Sequence, residues 1–400
     1  MSAVHTPQVW TLAGKAKELK QLLLQSGHEQ PQRPALLCLS RSEAATLLGL
    51  PALDKPEAVV QAAASLRTAA CEAVVITGHE TDYADTPQAS GWLSRSATSA
   101  EVLAHPDAGN VFADTAAQAL ARGFVAMEAI ILACMARSDA LSQGAALPRP
   151  DFAQHSRNLP DFSLPVPTTV RGFAALSDAD LGLYAVVDSA DWIKRVVAAG
   201  VRTVQLRIKD AEAPEHRDFV RTQIRQSIRA ATAAGAQLFI NDHWQLAIEE
   251  GAYGVHLGQE DLHIADLAAI HAAGLRLGIS THAYWEVCRA WALRPSYIAC
   301  GPIHPTFAKD MPWIPQGNGN LAYWRTLLPT PVVGIAGMDV ARTEEAAQCG
   351  VAGVAVISAI TAAASPETAI AQLQQAIQRG RKLPPSLAPL LPKSTLSLTS

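Results

Sequence analysis

The feature that most constrains the fold is an eightfold alternation of short apolar runs and alanine-rich helical stretches in the C-terminal half of the chain. The apolar runs occupy residues 183–188, 203–209, 237–242, 254–258, 275–280, 297–304, 331–337 and 353–358. Strands that alternate with helices form parallel βαβ units, and eight such units within about 200 residues predict a closed (β/α)8 barrel of the TIM type. An open, doubly wound sheet is the alternative, and the regularity of the eight units favours closure.

The composition indicates a globular protein with interspersed charges. Hydrophobic residues make up 49%, charged residues 17%, and the net charge is −4. The absence of a basic patch argues against a nucleic-acid or membrane-surface partner. The most apolar run, residues 125–134, is too short to span a bilayer, which needs about 20 residues. No secretory signal and no CxxC pair are evident, so we expect a cytoplasmic protein with reduced cysteines.

Two stretches rich in proline divide the chain. Residues 138–167 and the tail after residue 384 have the composition of extended or disordered segments. The predicted organisation is an N-terminal α/β domain at 33–137, a linker at 138–177, the barrel at 178–380 and a disordered tail at 381–400.

The second barrel strand carries an amide and two cations on one face. Alternation along this strand places Gln205, Arg207 and Lys209 on the same side. A strand of a parallel barrel has no solvated face, so these side chains converge at the barrel mouth, where the active sites of such barrels lie. They predict a phosphate or pyrophosphate site.

Two carboxylates follow the next two strands. Asp242 and Asp261 lie just past adjacent strand ends, beside the predicted anion site. Mg²⁺ that bridges a diphosphate typically uses one or two protein carboxylates, so the pair predicts a magnesium site. Taken singly, each aspartate could instead cap the helix that follows it.

The remaining strand ends contribute weaker signals. Ser280 supplies a ligand hydroxyl or a helix cap, and His282 is better read as a structural donor than as a base. Lys309 lies in a long loop that suits a mobile lid. Gly337 and Ser358 follow strands whose loops often bind phosphate through backbone N–H groups. Two anion sites predict a transferase that joins two phosphorylated small molecules and releases pyrophosphate.

Six segments of the barrel resemble thiamine-phosphate synthases in order and at the corresponding strand ends: VQLRIKD, LFINDHWQLAIEEGAYGVHLGQEDL, GISTH, YIACGPIHPTFAK, PVVGIAGM and GVAVISAI. The resemblance implies a Mg²⁺-dependent condensation. A 4-amino-2-methyl-5-hydroxymethylpyrimidine diphosphate loses its diphosphate to form a pyrimidine-methyl cation. A thiazole phosphate captures this cation to give thiamine phosphate.

The resemblance also assigns roles to residues of this chain. It places Arg207, Lys209 and Lys309 as catalytic cations and Asp242 and Asp261 as ligands of Mg²⁺. It assigns substrate binding to Gln205, Arg207, Lys209, Asn241, Ser280, Thr306, Lys309, Gly337, Ile357 and Ser358. Three positions depart from the family pattern, with His243 in place of arginine, Ala308 in place of threonine and Ala336 in place of glycine. The loss of the hydroxyl at Ala308 removes one expected contact to the thiazole phosphate.

Residues 33–137 resemble the second half of a hydroxymethylpyrimidine phosphate kinase, which has a ribokinase-like fold. The segments SEAATLLG and AVVITGH carry this resemblance. The Gly-Thr-Gly-Cys anion hole of such kinases is replaced here by Asp107-Ala108-Gly109-Asn110. The expected consequence is a degenerate, non-catalytic remnant that acts as a scaffold, an oligomerisation surface or a ligand sensor.

Two alternatives to the synthase stay open at this stage. A thiazole tautomerase has a related barrel but needs no diphosphate–Mg²⁺ site. A non-catalytic sensor of thiamine intermediates would fit the decay of the N-terminal half. Small-molecule substrates are the expected partners, with a homo-oligomer left open.

Overall fold

The computed structural model describes residues 8–12, 15, 17–19, 33–94, 108–163, 168–209, 216–306 and 312–397. The chain divides into two compact units. Unit 1 comprises Met1–Pro165, Ala283–Arg289 and Ser394–Ser400, and unit 2 comprises Val166–His282 and Ala290–Lys393. In the part of the chain that is described, no helix is both long and apolar enough to cross a membrane.

Unit 1 is built on a six-stranded sheet in the order β1 to β6. The first three strands are parallel and the others join antiparallel. The strands are β1 (Val9–Thr11), β2 (Leu36–Ser40), β3 (Val74–Thr77), β4 (Thr81–Asp85), β5 (Ser90–Ser94) and β6 (Asp161–Phe162). The helices are α1 (Arg41–Leu48), α2 (Pro56–Ala69), α3 (Ala108–Ala121) and α4 (Ala126–Gln143). This is an α/β unit, as expected, but β1 extends it upstream of residue 33.

The stretch expected to be a linker, residues 138–177, is folded over much of its length. Helix α4 continues to Gln143, and β6 pairs with β5. Buried Asp139 accepts hydrogen bonds from Arg149 Nη2 (2.5 Å) and Asn158 Nδ2 (3.0 Å). These bonds hold the proline-rich turn against α4. Proline content does not prevent order here, because side-chain hydrogen bonds to Asp139 hold the turn.

The stretch expected to be a disordered tail is also ordered through Ser397. Helix α13 ends at Lys382, and the chain then bonds back to unit 2, where Ser386 N donates to Gln348 O at 3.1 Å. Within unit 1, the buried Glu128 carboxylate accepts from Ser394 Oγ (2.7 Å), Thr395 Oγ1 (2.6 Å) and Thr395 N (3.1 Å). The side chain of Thr395 is buried with it. The residues after 393 therefore complete the core of unit 1.

Replacing Glu128 by alanine is expected to destabilise unit 1 by about 1–3 kcal/mol, because two buried donors and one part-buried donor lose their acceptor. Burial raises the pKa of Glu128 above its ordinary value of 4.5. Because this pKa is higher in the folded state than in the unfolded state, the contribution of Glu128 to the free energy of unfolding is complete below pH 4.5. It is lost as the pH rises through the pKa of Glu128 in the folded state. Glu128→Gln should keep most of the bonds and remove this pH dependence. Amide hydrogen exchange of α4 measures both effects.

Exposed Glu72 provides the matched control for this prediction, since Glu72→Gln should leave the exchange of α4 unchanged at every pH. Equal exchange rates in wild type and Glu128→Ala would contradict a role for the carboxylate in holding residues 394–396.

Unit 2 is a closed barrel of eight parallel strands, which confirms the predicted barrel and excludes the open sheet. The strands are β7 (Gly182–Val187), β8 (Thr203–Leu206), β9 (Gln237–Asn241), β10 (Gly254–Leu257), β11 (Arg276–Thr281), β12 (Tyr297–Cys300), β13 (Val332–Ile335) and β14 (Gly353–Val356). The barrel closes where Gly353 of β14 pairs with Gly182 of β7.

Helices follow the strands around the barrel. Those of unit 2 are α5 (Ala190–Ala198), α6 (His216–Ala234), α7 (Trp244–Glu249), α8 (Leu267–Ala272), α10 (Gly317–Leu327), α11 (Val340–Gln348), α12 (Ser358–Thr361) and α13 (Pro366–Lys382), while α9 (Tyr284–Leu293) is divided, with residues 284–289 in unit 1 and 290–293 in unit 2. Helix α5 shows why they pack on the strands: Ile193, Val196 and Val197 recur at three- and four-residue spacing and are buried. Its first turn is capped by Ser189, which accepts from Trp192 N.

The barrel interior is filled by aromatic rings. Tyr184, Phe239 and Tyr297 lie with ring centroids 5.0–6.0 Å apart. Gly278 on β11 leaves room for this cluster, since a Cβ atom there would lie 2.1 Å from Cζ of Tyr297. The layer of rings forms the floor beneath the carboxyl ends of the strands.

Candidate active site

A buried chain of hydrogen bonds runs across the barrel below its mouth. Gln205 of β8 is 4% exposed, and its Nε2 donates to the Tyr184 hydroxyl at 3.0 Å. The Tyr184 and Tyr297 hydroxyls are 2.7 Å apart, and Nδ1 of His256 is 2.6 Å from the Tyr297 hydroxyl. The chain ends at Ser280, whose Oγ lies 2.7 Å from His256 Nε2. The structure thus connects two predicted substrate-binding residues, Gln205 and Ser280.

The histidine in this chain is neutral. Burial, together with the positive charge of Arg207, lowers the pKa of His256 to about 3. A neutral imidazole has one donor and one acceptor nitrogen, so the chain has a single direction of donation at any moment. Ser280 lies inside β11 with its hydroxyl on His256, so the helix-cap alternative for this serine does not hold.

The cationic segment lies directly above Gln205. The ordered strand β8 ends at Leu206, earlier than predicted, although Arg207 N still donates to Val187 O of β7 at 2.7 Å. Arg207 is half-buried and its charge acts on Asp242, while Lys209 is exposed at the mouth. Because the strand ends before Arg207, the common face predicted for Gln205, Arg207 and Lys209 stays a prediction.

The two predicted metal-binding carboxylates face each other across adjacent strand ends. Burial and the neighbouring carboxylate of Asp261 raise the pKa of Asp242 well above its ordinary range, while Arg207 and Asn241 oppose the shift. Asn241 Nδ2 donates to Asp242 Oδ2 at 2.5 Å, and Asp261 Oδ2 accepts from Gly258 N at 2.9 Å. The residue Asp242 itself adopts a left-handed backbone conformation with φ of 61°. Such conformations in non-glycine residues are concentrated at functional sites.

Neither carboxylate caps the helix that follows it. The N-cap of α7 is His243, and the N-cap of α8 is Asp266, which accepts from Ala269 N at 2.9 Å. The capping alternative therefore fails for Asp242 and Asp261, which leaves their oxygens directed at each other.

The carboxylate pair fits a divalent cation of the hard, oxygen-binding type. Two close carboxylates repel one another in a partly buried site, and a cation between them removes that repulsion. Within the described ranges no group of three or more His, Cys, Asp or Glu side chains is arranged so that it could hold a metal ion. A cation here would complete its coordination with water and substrate oxygens, which is the habit of Mg²⁺.

The second group of predicted residues follows β12 to β14. Gly337 has φ of 68°, and a Cβ atom there would lie 2.6 Å from the Pro305 carbonyl oxygen, so only glycine fits. Ile357 is the N-cap of α12, and exposed Ser358 begins that helix. Thr306 is half-buried in the loop after β12. The register of β13 and β14 places these loops side by side. Lys309 and Ala308 lie outside the described residues.

Ala336 occupies a backbone conformation that disfavours any side chain, with φ of 84°. Left-handed backbone costs a non-glycine residue about 1–2 kcal/mol, whereas glycine loses about 0.5–1 kcal/mol of extra backbone entropy on folding. Ala336→Gly is therefore expected to stabilise unit 2 by about 0.5–1 kcal/mol, measured by urea unfolding. The same change in a regular helix, Ala341→Gly in α11, should destabilise it. Destabilisation by both variants would refute strain at Ala336.

Sequence patterns assign Tyr184, His256 and Tyr297 to apolar strands and give them no role in the site, although the structure places them in the interior hydrogen-bond chain. The sequence signal that could identify them is a polar side chain in a strand buried on both faces, because a buried histidine or tyrosine requires a hydrogen-bond partner. A further histidine, His304, lies beside Gly337, and its Nε2 is buried without a hydrogen-bond partner among the described residues.

Together, the closed barrel and the polar cluster at the carboxyl ends of β8–β11 define a (β/α)8-barrel protein of the TIM class. Residues 183–360 match the family model of thiamine monophosphate synthase. The thiamine-phosphate synthase of Serratia proteamaculans is 54% identical over 203 residues, which cover 50% of this chain and 92% of that protein. The chain therefore belongs to the thiamine-phosphate synthase family.

Other relatives match the same half of the chain. The thiamine-phosphate synthase of Neisseria meningitidis is 50% identical over 195 residues, covering 48% of this chain and 93% of that protein. Among solved structures, a thiamine phosphate pyrophosphorylase from Pyrococcus furiosus is 25% identical and covers 51% of this chain and 98% of that chain, with a TM-score of 0.45.

Proposed function

We propose that unit 2 is a transferase that condenses 4-amino-2-methyl-5-hydroxymethylpyrimidine diphosphate with thiazole phosphate to give thiamine phosphate and pyrophosphate. The observation that carries the proposal is the carboxylate pair Asp242–Asp261 beside Arg207, in a barrel that is 54% identical to a thiamine-phosphate synthase. A tautomerase would have no use for paired acids next to cations at this strand end.

The diphosphate binds above the barrel floor. Arg207 and Lys209 pair with its oxygens, and the family resemblance adds Lys309, which lies outside the described residues, as a third cation. Asp242 and Asp261 would hold Mg²⁺, which when bound would supply positive charge that stabilises the departing diphosphate. Arg207 suits this position because its planar guanidinium pairs with two phosphate oxygens at once.

The floor orients the pyrimidine. Gln205 uses its Nε2 on Tyr184, so its Oε1 is available to accept from an amino substituent of the pyrimidine ring. Ser280 at the other end of the interior chain keeps lone pairs for the same substrate.

The reaction breaks one bond and forms one bond. The C–O bond between the pyrimidine methylene and the diphosphate breaks, and the electron pair leaves with pyrophosphate. The thiazole nitrogen then donates its electron pair to the pyrimidine-methyl cation and forms the C–N bond. The cations of the site stabilise the charge that accumulates on the leaving group, so electrostatics supplies most of the catalysis. The loops at Gly337 and Ile357–Ser358 hold the thiazole phosphate, with Thr306 nearby.

The test is the full-length protein with both substrates and Mg²⁺, assayed for thiamine phosphate and pyrophosphate in equal amounts. Omitting either substrate or chelating the cation should abolish both products. Turnover that persists in the presence of chelator would remove Mg²⁺ from the proposal. Absence of product with every component present would instead favour a tautomerase or a sensor.

We also propose that unit 1 is a kinase-like remnant without kinase activity. The parallel strands β2 and β3 with α1 and α2 support the resemblance, and Asp107 of the altered anion hole lies outside the described residues. Incubation of the protein with ATP and hydroxymethylpyrimidine phosphate should give no diphosphate. Its formation would overturn this proposal and leave the synthase proposal standing.

A further inference from the structure

We propose that His243 is a positioning residue that holds the cationic segment Arg207–Lys209 in register with Asp242, so that the diphosphate meets both charges at once. This inference rests on the proposed function of unit 2.

The backbone of His243 is fixed from both sides. His243 N donates to Asn241 O at 2.7 Å, and its own carbonyl accepts from Ala247 N at 3.0 Å in the first turn of α7. The preceding residue, Asp242, is anchored to β10 through its N–H to His256 O at 3.0 Å. These backbone hydrogen bonds therefore fix the position of the His243 Cβ atom, next to Asp242 with its left-handed backbone.

The side chain of His243 reaches across to the neighbouring strand end. Its Nε2 lies 3.1 Å from the carbonyl oxygen of Ile208. A carbonyl can only accept, so Nε2 carries the proton and donates. Ile208 separates Arg207 from Lys209, and its side chain is buried. The bond thus pins the peptide at the centre of the cationic segment.

The segment Arg207–Lys209 lies beyond the regular part of its strand. Arg207 N is bound to β7, but β8 ends at Leu206, so the position of Ile208 and Lys209 depends on contacts with neighbouring loops. The His243 bond is one such contact, and it comes from the loop that carries Asp242. Hydrogen bonds that orient metal ligands typically contribute about 10–100-fold to metal affinity or activity, and we expect an effect of similar size for this segment.

The experiment compares His243→Phe, which keeps a ring but has no donor, with His243→Gln, which restores a nitrogen at similar reach. Inorganic pyrophosphate with Mg²⁺ is the binding probe, measured by calorimetry, alongside steady-state kinetics and thermal unfolding of the full-length protein. For His243→Phe we expect pyrophosphate affinity and kcat/KM for the pyrimidine diphosphate to fall about 10-fold or more. KM for thiazole phosphate should stay within about twofold, and His243→Gln should recover most of the loss.

His271, exposed on α8, provides the matched control, since His271→Phe should leave both readouts unchanged. Pyrophosphate binding in His243→Phe equal to that of wild type would overturn the inference, as would equal losses in the Phe and Gln variants. Pyrophosphate binding is measured without turnover. A wild type that binds pyrophosphate but makes no thiamine phosphate would overturn the proposed function, while a lower pyrophosphate affinity in His243→Phe would still support the positioning role.

Discussion

Asp242→Asn is expected to lower kcat/KM for thiamine phosphate formation by about 100- to 1,000-fold while raising the melting temperature of the cation-free protein. The loss of activity follows because an amide is a poor ligand for Mg²⁺ beside a diphosphate. The gain in stability follows from the raised pKa of Asp242, since the fold disfavours its charged form next to Asp261. That penalty grows as the pH rises above the ordinary pKa of 3.8 and is complete above the folded pKa of about 7, so it is fully present at pH 8.

The measurement pairs kinetics with thermal unfolding in chelator at pH 8. Each 1 kcal/mol gained should raise the melting temperature by about 2–4 °C for a unit of this size. Asp218→Asn, an exposed aspartate in the first turn of α6, should change neither readout appreciably. A variant that is inactive but also less stable would show that Asp242 serves the fold instead of a cation.

Gly278→Ala is expected to cost about 1–3 kcal/mol of stability, or more if the barrel cannot expand, and to abolish most activity. The added methyl would overlap the Tyr297 ring, which must then move. The Tyr297 hydroxyl is bound to both Tyr184 and His256, so its displacement breaks the chain that connects Gln205 with Ser280. Urea unfolding and KM for the pyrimidine diphosphate measure the two consequences.

Gly319 provides the opposite case in the same unit. It lies in α10, and a Cβ atom added there would meet no atom within 4 Å, so Gly319→Ala should stabilise the protein by about 0.5–1 kcal/mol. Wild-type stability and activity in Gly278→Ala would mean that the ring cluster is loosely packed and does not orient the substrate.

The fold of the barrel was predictable because the pattern repeats. Each apolar run is short and is followed by a helical stretch, and only parallel βαβ units satisfy that rhythm eight times. The borders of unit 1 were not predictable from composition. Asp139 accepts hydrogen bonds from the side chains of Arg149 and Asn158, and the residues adjacent to them in this proline-rich stretch do not predict those bonds.

The site was predictable where chemistry follows a strand end. Arg207 and Asp242 lie near one another because adjacent parallel strands end at the same edge. The interior chain through His256 was missed because strand periodicity indicates which face a residue occupies but not which partner it finds. The hydrogen bond from His243 to Ile208 joins two loops. Their relative position along the barrel axis depends on the strand register, and the register cannot be read from the sequence.

Unit 1 draws on three separate stretches of chain, and residues 394 and 395 supply three of the hydrogen bonds to its Glu128 carboxylate. During synthesis the ribosome delivers the sheet of unit 1 first, then the whole barrel, and only afterwards the residues that close over this carboxylate. Domains generally fold as they emerge, from the N-terminus onward. Here unit 1 is synthesised first but completed last. The barrel of unit 2 is translated before residues 394 and 395 of unit 1 become available.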